Sequence, residues 1–96
     1  MTITKSINGK EATLAVSGWM DTQATPELLS ALDDLEEGID SLVLDFAGLE
    51  YISSSGIRAV VAGYKKMDGA LVVTNASPGI LNAFRTIGID KRIRFA

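Results

Sequence analysis

Apolar positions along this 96-residue chain recur with two periods, one suited to strands and one to helices. Ile3 and Ile7, with polar residues between them, predict a first strand, and Asn8-Gly9 predicts a tight turn. Ala12, Leu14 and Val16 alternate with polar or small residues and predict a second strand ending at Ser17-Gly18. Trp19-Met20-Asp21-Thr22-Gln23 reads as a loop that exposes its tryptophan. Thr25-Pro26 reads as an N-cap with proline at the first helical position. Leu28, Leu29, Leu32 and Leu35 then share a helix face, which Gly38 ends. Leu42, Val43, Leu44 and Phe46 form a short apolar run, the pattern of a strand covered on both faces.

From Gly56 the period lengthens. Ile57, Val60, Val61 and Tyr64 fall at i, i+3, i+4 and i+7, one face of a second helix. Lys65-Lys66 suits its last turn, where the dipole favours cations. Asp68-Gly69 turns the chain into the buried strand Ala70-Leu71-Val72-Val73-Thr74. Asn75-Ala76-Ser77-Pro78-Gly79 opens a third helix with Ile80, Leu81, Phe84 and Ile87 on its inner face, and Gly88 stops it. Lys91-Arg92-Ile93-Arg94-Phe95 closes the chain as a short strand. The order ββαβαβαβ calls for parallel strands joined by right-handed crossovers. The predicted fold is α/β: a single domain over residues 1–96, with a mixed sheet of about five strands and helices packed over it.

The stretch from Asp45 to Arg58 joins a strand to a helix through Ser53-Ser54-Ser55-Gly56. Such a junction leaves backbone N–H groups unpaired beside hydroxyls that can cap them, and it tolerates an anion. On spacing alone, Ser54 or Ser55 is the expected N-cap. The loops Trp19–Thr25, Ala47–Ser55 and Asn75–Ser77 should meet at the carboxyl ends of the strands, where α/β proteins place their sites. That would gather Asp21, Thr22, Ser53, Ser54, Ser55, Asn75 and Ser77.

Composition removes most chemistry from such a site. There is no cysteine and no histidine, so thiolate chemistry, imidazole ligands and the usual serine hydrolase triad are out. Neither GxxxxGK[ST] nor GxGxxG occurs, and no GxSxG elbow. A net charge of −3 argues against a nucleic-acid partner. No apolar run is long enough to cross a bilayer and MTITKSING lacks the form of a signal peptide, so the expected location is cytoplasmic. The chain is expected to be neither an enzyme nor the holder of a cofactor or metal.

Leu42-Val-Leu-Asp-Phe-Ala-Gly-Leu-Glu-Tyr-Ile-Ser-Ser-Ser-Gly-Ile-Arg58 resembles the signature of the STAS domain, in particular the stand-alone bacterial anti-sigma factor antagonists. Ser17-Gly18-Trp19-Met20-Asp21 resembles the family's Gly-x-hydrophobic-Asp before its first helix. Ile80-Leu81 through Thr86-Ile87-Gly88-Ile89 resembles its late helix and turn. The resemblance implies a protein–protein switch. An anti-sigma factor that is also a serine kinase, with ATP bound by that partner, phosphorylates the serine before the glycine and thereby loses its antagonist. By position the acceptor is Ser55. The expected partner-binding set is Asp21, Thr22, Ser53, Ser54, Ser55 and Arg58, together with Gly56, whose missing side chain would leave room for a partner, and Trp19, since aromatics in site loops often anchor interfaces; the chain is expected to be monomeric. Ser53 stands where many kinase-regulated members carry aspartate. Other STAS domains dock in lipid-transport complexes or transporter tails without phosphorylation, which is the alternative.

Overall fold

The computed structural model describes residues 1–96. Its elements follow the order β1 (Thr2–Asn8), β2 (Glu11–Met20), α1 (Thr25–Asp33), β3 (Ser41–Ile52), α2 (Ser54–Lys66), β4 (Leu71–Thr74), α3 (Pro78–Ile87) and β5 (Arg94–Phe95). The five strands lie side by side in chain order. β1 pairs antiparallel with β2 at one edge, and β2, β3, β4 and β5 are mutually parallel. The hairpin closes between paired Asn8 and Glu11, so its two-residue turn is Gly9-Lys10, one position later than the Asn-Gly dipeptide suggests. Gly9 supplies the positive φ of 63° that this turn requires.

Burial alternates along the central strands. Ala12, Leu14, Val16, Leu42, Leu44, Phe46, Leu71 and Val73 are buried, whereas Thr13, Ala15, Val43, Asp45, Val72 and Thr74 are only half-buried. One face of the sheet is therefore sealed by the core and the other is not, which corrects the expectation of a β3 run covered on both faces. Register brings Leu14, Leu44 and Val73 into one row, and Ala12, Leu42 and Leu71 into the next. Leu28 and Leu32 of α1, Ile57 and Val60 of α2, and Ile80 and Phe84 of α3 complete a single core of 20 buried residues. Each large side chain so buried contributes roughly 1.5–3 kcal/mol.

Three helix assignments shift. α1 ends at Asp33, with Leu35 half-buried beyond it and Leu29 exposed, because only positions 28 and 32 face the sheet. On α3, Ile87 is exposed and Leu81 half-buried, so the inner face is carried by Ile80 and Phe84. Thr25 is not the cap of α1 but its first residue, and the cap position is Ala24.

The largest departure is at β2 and β3. Both run on past the expected loops: Trp19 pairs with Tyr51 and Met20 with Ile52. Two register shifts each insert one extra residue into β3, between Asp45 and Gly48 and between Leu49 and Tyr51. Bulges of this kind bend a strand and tighten its twist. Gly48 makes the first one possible, since a Cβ there would fall 2.7 Å from Ser17 Cβ.

Candidate functional site at the start of helix α2

The last residues of β2 and β3 set the geometry. Ser53 N–H donates to the Met20 carbonyl at 2.8 Å, tying the start of α2 to the end of β2. Ser53, not Ser54 or Ser55, is the N-cap: extended at φ −84° and ψ 169°, it accepts the Gly56 N–H at 3.1 Å. The cap lies one or two positions earlier than expected because Ser53, held extended by its bond to Met20, is the last residue before the helix and its hydroxyl reaches the Gly56 N–H.

The three serines are inequivalent. Ser53 is buried, Ser54 is exposed and Ser55 is half-buried. Ser55 Oγ lies 2.9 Å from Ser53 Oγ and 3.2 Å from Thr25 Oγ1. The Ser54 and Ser55 N–H groups have no partner in the chain, as the first amides of a helix do not. No acidic residue sits in the first turn of α2, so the positive end of its dipole is unopposed there.

Gly56 lies beneath the surface of the junction, with no open space at its Cα. It is buried, and a Cβ on it would lie 2.9 Å from both Ile52 Cγ1 and Met20 Sδ. Its missing side chain makes room for the core beneath the junction. Arg58, two residues later, is exposed and joins neither of the two ion pairs, Lys5–Glu36 and Lys66–Asp33. It edges a shallow groove of about 560 Å³ between α2 and the end of α3, lined by Ser54, Ile57, Val61, Lys65 and Ile87 among others.

Across from the serines, Asp21 is half-buried and shapes its own loop. Its carboxylate accepts the Ala24 N–H at 2.8 Å, while its carbonyl accepts from the Thr25 N–H at 3.0 Å and the Thr25 hydroxyl at 2.8 Å. Thr22 is exposed. Trp19, 58% exposed, lies against Tyr51, 42% exposed, with ring centroids 5.1 Å apart. The pair forms an aromatic surface beside the junction. Tyr51 was not recognisable as part of this site, because a loop reading of Trp19 hides their cross-strand pairing. Thr25 was missed for a similar reason, its hydroxyl being read only as a cap.

Asn75 and Ser77 do not join this cluster. Asn75 Nδ2 donates to Asp45 Oδ1 at 2.9 Å, eight residues upstream of Ser53 on the β3 chain, and Ser77 caps α3 by accepting the Ile80 N–H. β4 ends opposite Asp45 while β3 continues, so the expected third loop stops short of the other two. The Asn75 amide, and then the Ala47 N–H, hold the Asp45 carboxyl below its ordinary value.

A mixed five-stranded sheet sealed on one face by three helices, with Asp21, Thr25 and the three serines gathered where β3 hands over to α2, defines a small α/β domain. A family model described as "Mlab, STAS domain" matches residues 3–94, and the chain belongs to the STAS domain family. Solved structures with the same fold include an anti-sigma factor antagonist from Mycobacterium paratuberculosis, 23% identical with a TM-score of 0.87 over 98% of this chain and 83% of that one. The Bacillus cell-fate determinant SpoIIAA, solved in its phosphorylated form, is 15% identical with a TM-score of 0.75 over 99% and 91%. A sulfate transporter family protein from Wolinella succinogenes is 18% identical with a TM-score of 0.79 over 95% and 80%. No helix of the chain is long and apolar enough to cross a membrane.

Proposed function

We propose that this chain is an anti-sigma factor antagonist: a docking module that binds an anti-sigma factor with serine kinase activity and is released when Ser55 is phosphorylated. The observation that carries the reading is Ser55 itself. Its half-buried hydroxyl stands in the first turn of α2, beside the unpaired Ser54 and Ser55 amides. Phosphorylation adds nearly two negative charges. Within the chain the dipole of α2 offsets them by about 0.3–2 kcal/mol, so the fold tolerates the group. Within a desolvated interface the same charge meets carboxylate or apolar surface and costs more, and about 2.7 kcal/mol is already a hundredfold in affinity. Local tolerance combined with interfacial intolerance makes a switch. The ATP belongs to the partner, and this chain contributes the acceptor and the surface around it.

The test is a comparison of Ser55→Ala and Ser55→Asp against the physiological partner, with intact-mass analysis of the protein from cells. Ser55→Ala is expected to bind without being phosphorylated. Ser55→Asp is expected to lose affinity at least tenfold while keeping a native circular dichroism spectrum. Equal affinity of Ser55→Asp and wild type, with no phosphate at Ser55 in cells, overturns the switch. Docking without phosphorylation is the second reading, and Ser53 in place of the family's aspartate favours it.

A further inference from the structure

Between α2 and α1 runs a chain of hydrogen bonds whose direction is fixed by counting protons. The Asp21 carbonyl oxygen can only accept, so the proton of the Thr25 hydroxyl, 2.8 Å away, is committed to it. Thr25 Oγ1 must then accept in its 3.2 Å contact with Ser55 Oγ, and Ser55 donates. With its proton spent, Ser55 accepts from the Ser53 hydroxyl at 2.9 Å. Ser53 Oγ in turn accepts the Gly56 N–H at 3.1 Å. The sequence Gly56 N–H to Ser53 to Ser55 to Thr25 to the Asp21 carbonyl is one-way, and each hydroxyl in it gives one proton and takes one. Thr25 and Ser53 are 6% and 9% exposed, so water has little access to replace either partner.

We propose that Thr25 is the positioning residue for Ser55 and the group through which phosphorylation of Ser55 reaches the Asp21 loop; the second part rests on Ser55 being the acceptor. In the transfer, Ser55 Oγ bonds to the γ-phosphorus of the partner's ATP and the bond from that phosphorus to the ADP oxygen breaks. The hydroxyl proton leaves to a carboxylate base of the partner. The ester oxygen that remains has no proton to give, so the contact with Thr25 loses its donor. The phosphate oxygens are strong acceptors, and Thr25 turns its own proton from the Asp21 carbonyl toward them. The carbonyl is left with the Thr25 N–H alone, and the loop that Asp21 braces through Ala24 loosens. An aspartate at position 53 has no proton to donate and would take that of Ser55 instead. The serine found here is what lets the relay run toward Thr25.

Phosphoserine installed at position 55 by chemical ligation tests this without any kinase, in wild type and in Thr25→Ser, Thr25→Val and Thr25→Ala. The readout is amide hydrogen exchange and chemical shift across residues 21–25. In wild type and Thr25→Ser, phosphorylation is expected to speed exchange of the Thr25 amide at least threefold and to shift Ala24 and Thr25. In Thr25→Val the loop is expected to be loosened already and to gain less than half of that response on phosphorylation. Thr25→Ala supplies the same deletion if valine is not tolerated. A wild-type loop that does not respond, or a hydroxyl-deleted loop that responds as fully as wild type, overturns the proposal. Because the phosphate is placed chemically, a response in the loop supports the relay even if the partner never phosphorylates Ser55 in cells.

Discussion

Ser53 holds the first turn of α2 with one oxygen and passes a proton to Ser55 with the same group. Ser53→Ala removes both, and the loss of an N-cap costs about 0.5–2 kcal/mol. The expected result is a lower denaturant midpoint at unchanged m-value. Ser53→Asp keeps the acceptor for Gly56 N–H and places a carboxylate where the dipole of α2 favours it. It is expected to match or exceed wild-type stability, and a loss as large as that of Ser53→Ala would show that the cap tolerates only a hydroxyl. Asp21 divides in the same way. Asp21→Asn retains an oxygen for the Ala24 N–H, whereas Asp21→Ala does not. The alanine variant is expected to lose about 1 kcal/mol, and the asparagine variant much less. Loss of partner binding in Asp21→Asn would then be assigned to the charge alone.

At the scale of elements, β3 decides where the site lies. Its two inserted residues and its extension past β4 carry the chain to Ile52, directly above Met20. Gly48→Ala forces a Cβ against Ser17 and is expected to cost roughly 1–3 kcal/mol, as overpacking does. Gly56→Ala meets Ile52 Cγ1 and the flexible Met20 thioether, each at 2.9 Å, so a loss of the same order is expected, readable in thermal unfolding. The β3–β4 end is held differently. Asn75 stabilises ionised Asp45, whose folded-state value lies below the ordinary 3.8. A depressed carboxylate contributes stability above its unfolded value and loses it as pH falls through the folded one. Asn75→Ala should therefore be less stable than wild type at pH 7, with the gap shrinking below about pH 3.8. Because Asp45 is only half-buried, solvent screening keeps the gap small. A gap of equal size at pH 7 and pH 2.5 would mean that the amide acts through packing rather than charge.

Across the whole molecule, the exposed residues near the junction fall on two sides: Trp19 and Tyr51 project from the open face of the sheet, and Ser54 and Arg58 from α2 on the covered face. Exposed aromatics contribute little to folding but anchor interfaces strongly. Trp19→Ala and Tyr51→Ala are each expected to change folding stability by less than about 1 kcal/mol. Each is expected to weaken partner binding at least tenfold, measured by titration calorimetry. Binding unchanged in both variants would move the interface off the sheet and onto the helices. Arg58 has no ion pair within the chain, so Arg58→Ala should leave stability alone and reduce the salt dependence of association.

The order of elements, the edge hairpin, the parallel crossovers and the helix-start position of the serines all follow from the sequence. Each rests on local period or local turn chemistry, which the residues express wherever they stand. The family resemblance is of this kind too, carried by an ordered set of short motifs. The position of the cap, the buried role of Gly56, the Trp19–Tyr51 pair and the exclusion of Asn75 were decided by the tertiary structure. All four depend on how far β2 and β3 run on together, and strand length past a glycine is set by pairing with a neighbour rather than by the strand's own residues. The link from Ser55 to Thr25 spans 30 residues of chain and exists only because α1 and α2 begin side by side. No local pattern encodes a distance between two hydroxyls; packing of the two helices on one sheet face does.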